Sequence, residues 1–330
     1  MGTVTLWILF NGFVLLMLAL DLGVFHRKAH VISLREATAW SVVWVALALL
    51  FNAGIWYYSG HQSGLEFLTG YLIEKSLSVD NIFVFVALFQ YFGVEPRYQH
   101  RVLFWGILGA LIMRGLMIWL GVELIARFEW ILYFFGAFVI FTGVKMLRHK
   151  PENIHPEQNP VFRWARKYLR VTETYQGQKF FISRGGKFYA TPMFLVLLVV
   201  ETTDLAFAVD SIPAIFAITR DPFIVYTSNV FAILGLRALY FLLAGILPYF
   251  RYLSVGLSIV LIFIGVKMLA VQWVHVPIGL ALGVVAVVLT SSILASVAAS
   301  KAEQRALQRS RQAPPAAPPS TREFPEGFGE

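Results

Sequence analysis

Apolar residues come in runs of about 20, the length at which an α-helix spans roughly 30 Å of bilayer hydrocarbon. Nine such runs are present, at about 6–26, 37–59, 67–92, 101–125, 129–148, 190–219, 224–248, 252–271 and 276–299. They predict an all-α polytopic membrane protein with about nine transmembrane helices. A polar stretch separates the fifth run from the sixth, and the chain after the ninth contains PPAAPPS, the composition of a disordered tail.

Two runs are interrupted by acids. Residues 201–211 read ETTDLAFAVDS and residues 74–81 read EKSLSVDN, so VDN at 79–81 matches VDS at 209–211 and Glu74 falls opposite Asp204. Two further landmarks recur in the same order. ILG stands at 107–109 and 233–235, each followed by an arginine, Arg114 or Arg237, and GVKML stands at 143–147 and 265–269. Each unit holds three spans, an odd number, so the second enters the membrane from the opposite side. That is the pattern of inverted-repeat transporters, whose binding site lies near the midplane where the halves meet. The chain accordingly divides into two N-terminal helices (1–66), repeat one (67–148), a loop on the cytoplasmic side (149–189), repeat two (190–272), a last helix (273–300) and a disordered cytoplasmic tail (301–330).

Composition strengthens the membrane reading. Of 330 residues, 58% are hydrophobic and 14% charged, and the mean hydropathy is +0.69, far from a soluble average. The absence of cysteine excludes disulfides, thiol catalysis and iron–sulfur clusters, so any metal is held by oxygen or imidazole. The net charge of +8 needs no nucleic acid. With the amino terminus outside, twenty Lys and Arg fall in cytoplasmic segments and only Arg127 and Arg220 on the other face, as the positive-inside rule requires. The first run has no basic leader and no A-x-A site, so it is expected to remain as a helix.

Within the spans lie Asp21, Glu74, Asp80, Glu201, Asp204 and Asp210, against Lys75, Arg114 and Arg237 as deep cations. Lys145 and Lys267 stand near helix ends, where they are expected to snorkel to the interface. An excess of intramembrane carboxylates binds a cation, takes up protons, or does both in turn. With Asn81 and the hydroxyls of Ser76, Ser78, Thr202, Thr203 and Ser211, these oxygens form a hard-donor set suited to Mg²⁺, Ca²⁺ or Mn²⁺. On an unbroken helix Glu201 and Asp204 share a face while Asp210 points away. Pro213 is therefore expected to kink or unwind the chain beside Asp210. The competing reading is that the acids are buried ion pairs with Arg114 and Arg237 as partners. Asp21, near the end of the first helix, suits a structural or gating role. No HExxH pattern, no GxSx serine joined to a histidine and no Walker A pattern is present, so no enzyme is expected.

DLGVFHRKAH at 21–30, EFLTGYLIEKSLSVDNIFVF at 66–85, YQHRVLFWGILGALIMR at 98–114, FGAFVIFTGVKML at 135–147 and ETTDLAFAVDSIPAIFAIT at 201–219 resemble the TerC family of bacterial membrane proteins, including its Alx branch. The resemblance implies a multi-pass inner-membrane protein, with no permanently bound cofactor, that exports Mn²⁺ within a superfamily of cation exporters. The family name reflects an association with tellurium resistance. The implied metal residues are Glu74, Asp80, Asn81, Glu201, Asp204 and Asp210, with Ser78, Thr203, Ser211, Arg114, Arg237 and Asp21 in support. A broader divalent or Ca²⁺ exchanger and a non-transporting metal-delivery partner share these residues.

Overall fold

The computed structural model describes residues 3–20, 33–128, 130–148, 157, 159–244, 252–274 and 276–312; the side chains of Asp80 and of 303–312 lie outside that description, as does Asp21. The protein is predominantly helical. In chain order the helices are α1 (Val4–Leu20), α2 (Leu34–Ser59), α3 (His61–Phe92), α4 (Pro96–Arg127), α5 (Ile131–Arg148), α6 (Pro160–Tyr168), α7 (Pro192–Phe216), α8 (Pro222–Leu234), α9 (Leu236–Leu243), α10 (Leu253–Leu269) and α11 (Ile278–Gln312). A two-stranded hairpin, β1 (Phe181–Arg184) and β2 (Lys187–Ala190), precedes α7.

The helix starts follow local chemistry. Proline opens α4, α6, α7 and α8, where its fixed φ suits the first turn and its missing N–H costs nothing. Ser33 caps α2 by accepting from the Glu36 amide, and Asp221 caps α8 by accepting from Phe223 and Ile224. At the end of α3, Gly93 takes the left-handed conformation, φ 62°, and the Val94 amide reaches back to the Phe89 carbonyl at 2.9 Å. The chain can then reverse into α4 within three residues.

Seven helical segments are long and apolar enough to cross a bilayer: Leu34–Ser59, Pro96–Arg127, Ile131–Arg148, Pro192–Phe216, Pro222–Leu243, Leu253–Gln272 and Ile278–Ala302. Two other predicted runs are helical but differ in kind. α1 has 17 described residues, and α3, at 32 residues, places Glu74, Lys75 and Asp80 within two turns. Apolar side chains cover the outside, with Leu50, Ile112, Phe141 and Leu294 each more than 60% exposed, as a lipid-facing surface requires.

Three boundaries differ from the sequence reading. Pro213 does not interrupt α7, which stays helical to Phe216. It stands in the last turn, where only the Val209 carbonyl loses its partner, and the Pro213 carbonyl still accepts from Ala217 at 3.2 Å. The discontinuity falls instead at Gly235, between α8 and α9. The last helix continues to Gln312, because AEQRALQRSRQ is rich in helix formers.

Neighbouring helices pack in both senses: α4 runs parallel to α7, with Gly106 at Val200 and Gly121 at Phe216, while α5 and α10 are antiparallel. The end of α3, the start of α4, residues 159–191 and the end of α9 gather at one end of the bundle: the Tyr175 hydroxyl donates to the Phe92 carbonyl at 2.6 Å, Arg101 to Gln178 at 3.3 Å, and Tyr240 to Gln99 at 2.9 Å. At the other end α1 meets α8 through Phe10, Phe223 and the Tyr226 bond to Asn11 at 2.8 Å. α5 and α10 approach most closely. A Cβ on Gly143 would lie 2.9 Å from the Ser258 carbonyl, and one on Gly265 2.7 Å from the Gly136 carbonyl, so both positions require glycine for backbone to meet backbone.

Candidate functional site

Glu74 of α3 and Asp204 of α7 meet at Arg114 of α4. Arg114 of α4 donates to Glu74 Oε1 of α3, to Asp204 Oδ1 of α7 at 3.4 Å, and to Asn229 Oδ1 of α8 at 2.8 Å. Glu74, Asp204, Asn229 and Arg114 are all buried. One guanidinium thus joins both acidic helices, and its planar fork suits this better than an ammonium. The network is incomplete: Glu74 Oε2, Asp204 Oδ2 and the Arg114 Nε have no hydrogen-bond partner. Buried unpaired carboxylate oxygens are costly, and they mark a site where a further cation or proton has a favourable place.

Glu201 lies one turn before Asp204 on α7, close enough for the two charges to act on each other. Its carboxylate rests on the backbone of α4 at Gly109, where a Cβ would overlap the carboxylate itself. Glu201 Oε2 also has no partner. The neighbouring hydroxyls are spoken for as donors: Thr203 bonds to the Val199 carbonyl at 2.7 Å and Ser76 to the Leu72 carbonyl at 2.7 Å. Ser78 and Ser211 are buried with unbonded hydroxyl oxygens, and Asn81 is buried beside them in sequence with the acids.

Asp210 stands apart. It accepts from Thr142 of α5 at 3.2 Å and lies within the field of Lys145. Lys145, expected to snorkel, is exposed in the last turn of α5, and its charge acts on Asp210 because α5 packs beside α7. Among the described residues no three His, Asp or Glu side chains group closely enough to hold one ion. The reason is geometric: the α7 helix continues past Asp210, keeping it off the Glu201–Asp204 face, and Arg114 occupies the space between Glu74 and Asp204. The structure therefore brings together Glu74, Asp204, Arg114 and Glu201, and holds Asp210 on the α5 side. Arg237 is buried on α9.

Lys75, next to Glu74, reaches the break in the α8–α9 segment. Its Nζ donates to the Ala232 carbonyl at 3.3 Å, and a Cβ on Gly235 would lie 2.6 Å from it. Sequence reading missed Asn229 and Thr142. Asn229 had a legible signal, since the TSN of 227–229 interrupts an apolar helix and all three residues are buried.

Comparison with known proteins identifies the family. Residues 59–304 match the Integral membrane protein TerC family. The chain is 54% identical over 291 residues to the "Uncharacterized membrane protein STKORF319" of Myxococcus xanthus, covering 88% of this chain and 91% of that one. It is 53% identical over 301 residues to the "Putative membrane-bound redox modulator Alx" of Escherichia coli strain K12, covering 88% and 94%. With the "Uncharacterized membrane protein" of Rickettsia bellii it shares 44% over 283 residues, covering 86% and 94%. No solved structure matches.

Proposed function

We propose that this chain, which belongs to the TerC family of integral membrane proteins, exports divalent metal cations, with Mn²⁺ as principal substrate, through a carboxylate site between two inverted repeats. The observation that carries the reading is the meeting of Glu74 and Asp204 on one arginine, each with an oxygen left unbonded, beside the unpaired Glu201. Arg114 keeps the two carboxylates together between transport events. An arriving cation draws on the same oxygens and on the hard donors Asp80, Asn81 and Asp210. A chain without cysteine has no thiol to offer softer metals or to exchange with a redox partner.

The repeats find support in the α5–α10 contact. Aligning GVKML with GVKML pairs Gly143 with Gly265, Gly136 with Ser258 and Ile140 with Ile262. The contact of Gly143 with the Ser258 carbonyl and with Ile262 then becomes, after exchange, the contact of Gly265 with the Gly136 carbonyl and with Ile140, and both are present. Such an antiparallel pair has an approximate two-fold axis across the helices, the relation expected of inverted halves. On this reading nine segments cross the bacterial inner membrane, the amino terminus is periplasmic, and residues 159–191 are cytoplasmic.

Metal and protons compete for clustered carboxylates, so an inward proton gradient is the driving force we assign. Transport into inside-out vesicles or proteoliposomes, comparing Mn²⁺, Mg²⁺, Ca²⁺ and Zn²⁺ under an imposed pH gradient, is the test. Mn²⁺ uptake that collapses with the gradient, and is lost in Glu201→Gln and Asp204→Asn, is expected. Uptake indifferent to the gradient removes the coupling; no uptake of any ion favours a metal-delivery role.

A further inference from the structure

Residues 159–190 carry seven Lys and Arg against one acid, Glu173. They form one body. The Ala190 amide donates to the Arg170 carbonyl and the Thr172 amide to the Ala190 carbonyl, both at 2.9 Å, which joins the chain leaving α6 to the edge strand β2. That body is bolted to the bundle by Phe162 and Ala165, buried against α7, and by Asn159, whose side-chain amide donates to Thr202 at 2.9 Å.

What α6 leaves outside is sorted by chemistry. Arg163, Arg166 and Lys167 lie along one flank with Arg170 just past the helix end, and Trp164 and Tyr168, with rings 5.7 Å apart, form the other. All six are exposed, as are Arg184, Lys187 and Phe188, the last by 78%. The height of this surface is fixed by the chain: the hairpin leads directly into α7, and Phe181 packs on Phe194 in its first turn at 4.5 Å. Aromatic rings beside cations, level with the start of a membrane-crossing helix, match the headgroup layer in both polarity and position.

We propose that the basic flank of α6 and the tip of the β1–β2 hairpin dock the phosphate headgroups of anionic phospholipids in the adjoining leaflet, with Trp164, Tyr168 and Phe188 set into the interface. Charge complementarity selects an anionic lipid over a zwitterionic one, and each Lys or Arg near such a surface contributes about 1 kcal/mol, roughly five-fold in affinity. The placement against the bilayer favours lipid over a soluble polyanion such as RNA.

The full-length protein, purified in a mixture of phosphatidylglycerol and phosphatidylcholine, is examined by native mass spectrometry for retained lipid. Preferential retention of phosphatidylglycerol is expected, reduced at least ten-fold in Arg163→Gln/Arg166→Gln/Lys167→Gln with the melting temperature retained. A control of equal charge, Arg35→Gln/Arg148→Gln/Lys301→Gln, should keep the preference. Equal retention of both lipids by the wild type, an unchanged preference in the α6 variant, or an equal loss in the control overturns the proposal. So does displacement of the lipid by millimolar glycerophosphate, which would assign the surface to a soluble phosphate, or tighter binding of an RNA oligonucleotide to the same residues. Should the α6 variant fail to fold, Lys187→Gln with Arg184→Gln on the exposed hairpin tip decides it by the same ratio.

Discussion

The ILG glycine of α4, Gly109, lies under a carboxylate, whereas the ILG glycine at the α8–α9 junction, Gly235, lies under an ammonium. In both places a glycine makes room for a charged side chain on a neighbouring acidic helix, Glu201 on α7 or Lys75 on α3. The seats are alike and the charges opposite. In the first the helix below is continuous and Glu201 keeps an unbonded oxygen; in the second the helix is broken and Lys75 bonds to the carbonyl of Ala232 that the break presents. Beside Gly109 a carboxylate oxygen is left without a partner, whereas beside Gly235 the ammonium of Lys75 takes a backbone carbonyl.

The largest effect expected on this contrast comes from the arginine that ties the halves together. Arg114→Gln leaves Glu74 and Asp204 buried without their cation, and breaking such a network costs about 3–5 kcal/mol. Thermal unfolding of the purified protein should show it, and Glu74→Gln added to Arg114→Gln should recover much of the loss. Lys75→Gln, which removes one neutral acceptor's partner, should cost clearly less. Equal losses at Arg114 and Lys75 would erase the distinction between a bridging and a seat-filling cation.

Next come the paired glycines of the GVKML helices. Gly143→Ala and Gly265→Ala each press a methyl on a backbone carbonyl, which a side-chain shift cannot relieve, so each should destabilise by about 1–3 kcal/mol. The two-fold relation demands losses of similar size. A large cost at one position and none at the other would break the symmetry.

These pairs show where sequence was enough and where it was not. The helices were visible because lipid imposes length and apolarity, and the acids because a charge in such a run has no bland explanation. Gly143 and Gly265 were legible as a repeated motif, but their partners Ser258 and Gly136 were not, since nothing local fixes which helices meet. Pro213 misled because the cost of a proline depends on its distance from the helix end. Thr142 was not legible because its partner Asp210 lies on another helix.

The two seats can be tested directly by a methyl group. Gly109→Ala meets the flexible end of Glu201 rather than backbone, so the chain should fold with little loss while the carboxylate is displaced. Calorimetry with Mn²⁺ should show at least a ten-fold weaker affinity. Gly235→Ala displaces the Lys75 ammonium in the same way and should change affinity by less than three-fold. Comparable effects at both glycines would mean that the seats do not differ in function.

The smallest effect concerns the segment 159–191, which is bonded to both acidic helices, to α7 through Asn159 and Thr202 and to α3 through Tyr175 and the Phe92 carbonyl. Burial pushes the Tyr175 hydroxyl up to about 12 from an ordinary 10. It is the protonated form that donates, so the bond is fully present below pH 10 and is lost as the pH rises through 12. Tyr175→Phe should therefore cost about 0.5–1.5 kcal/mol at neutral pH, and the gap between variant and wild type should narrow between pH 10 and 12. Melting curves across that range decide it. No gap at neutral pH would assign the Tyr175 contribution to its ring, which Tyr175→Phe retains, and would leave Asn159–Thr202 as the stronger of these two polar ties.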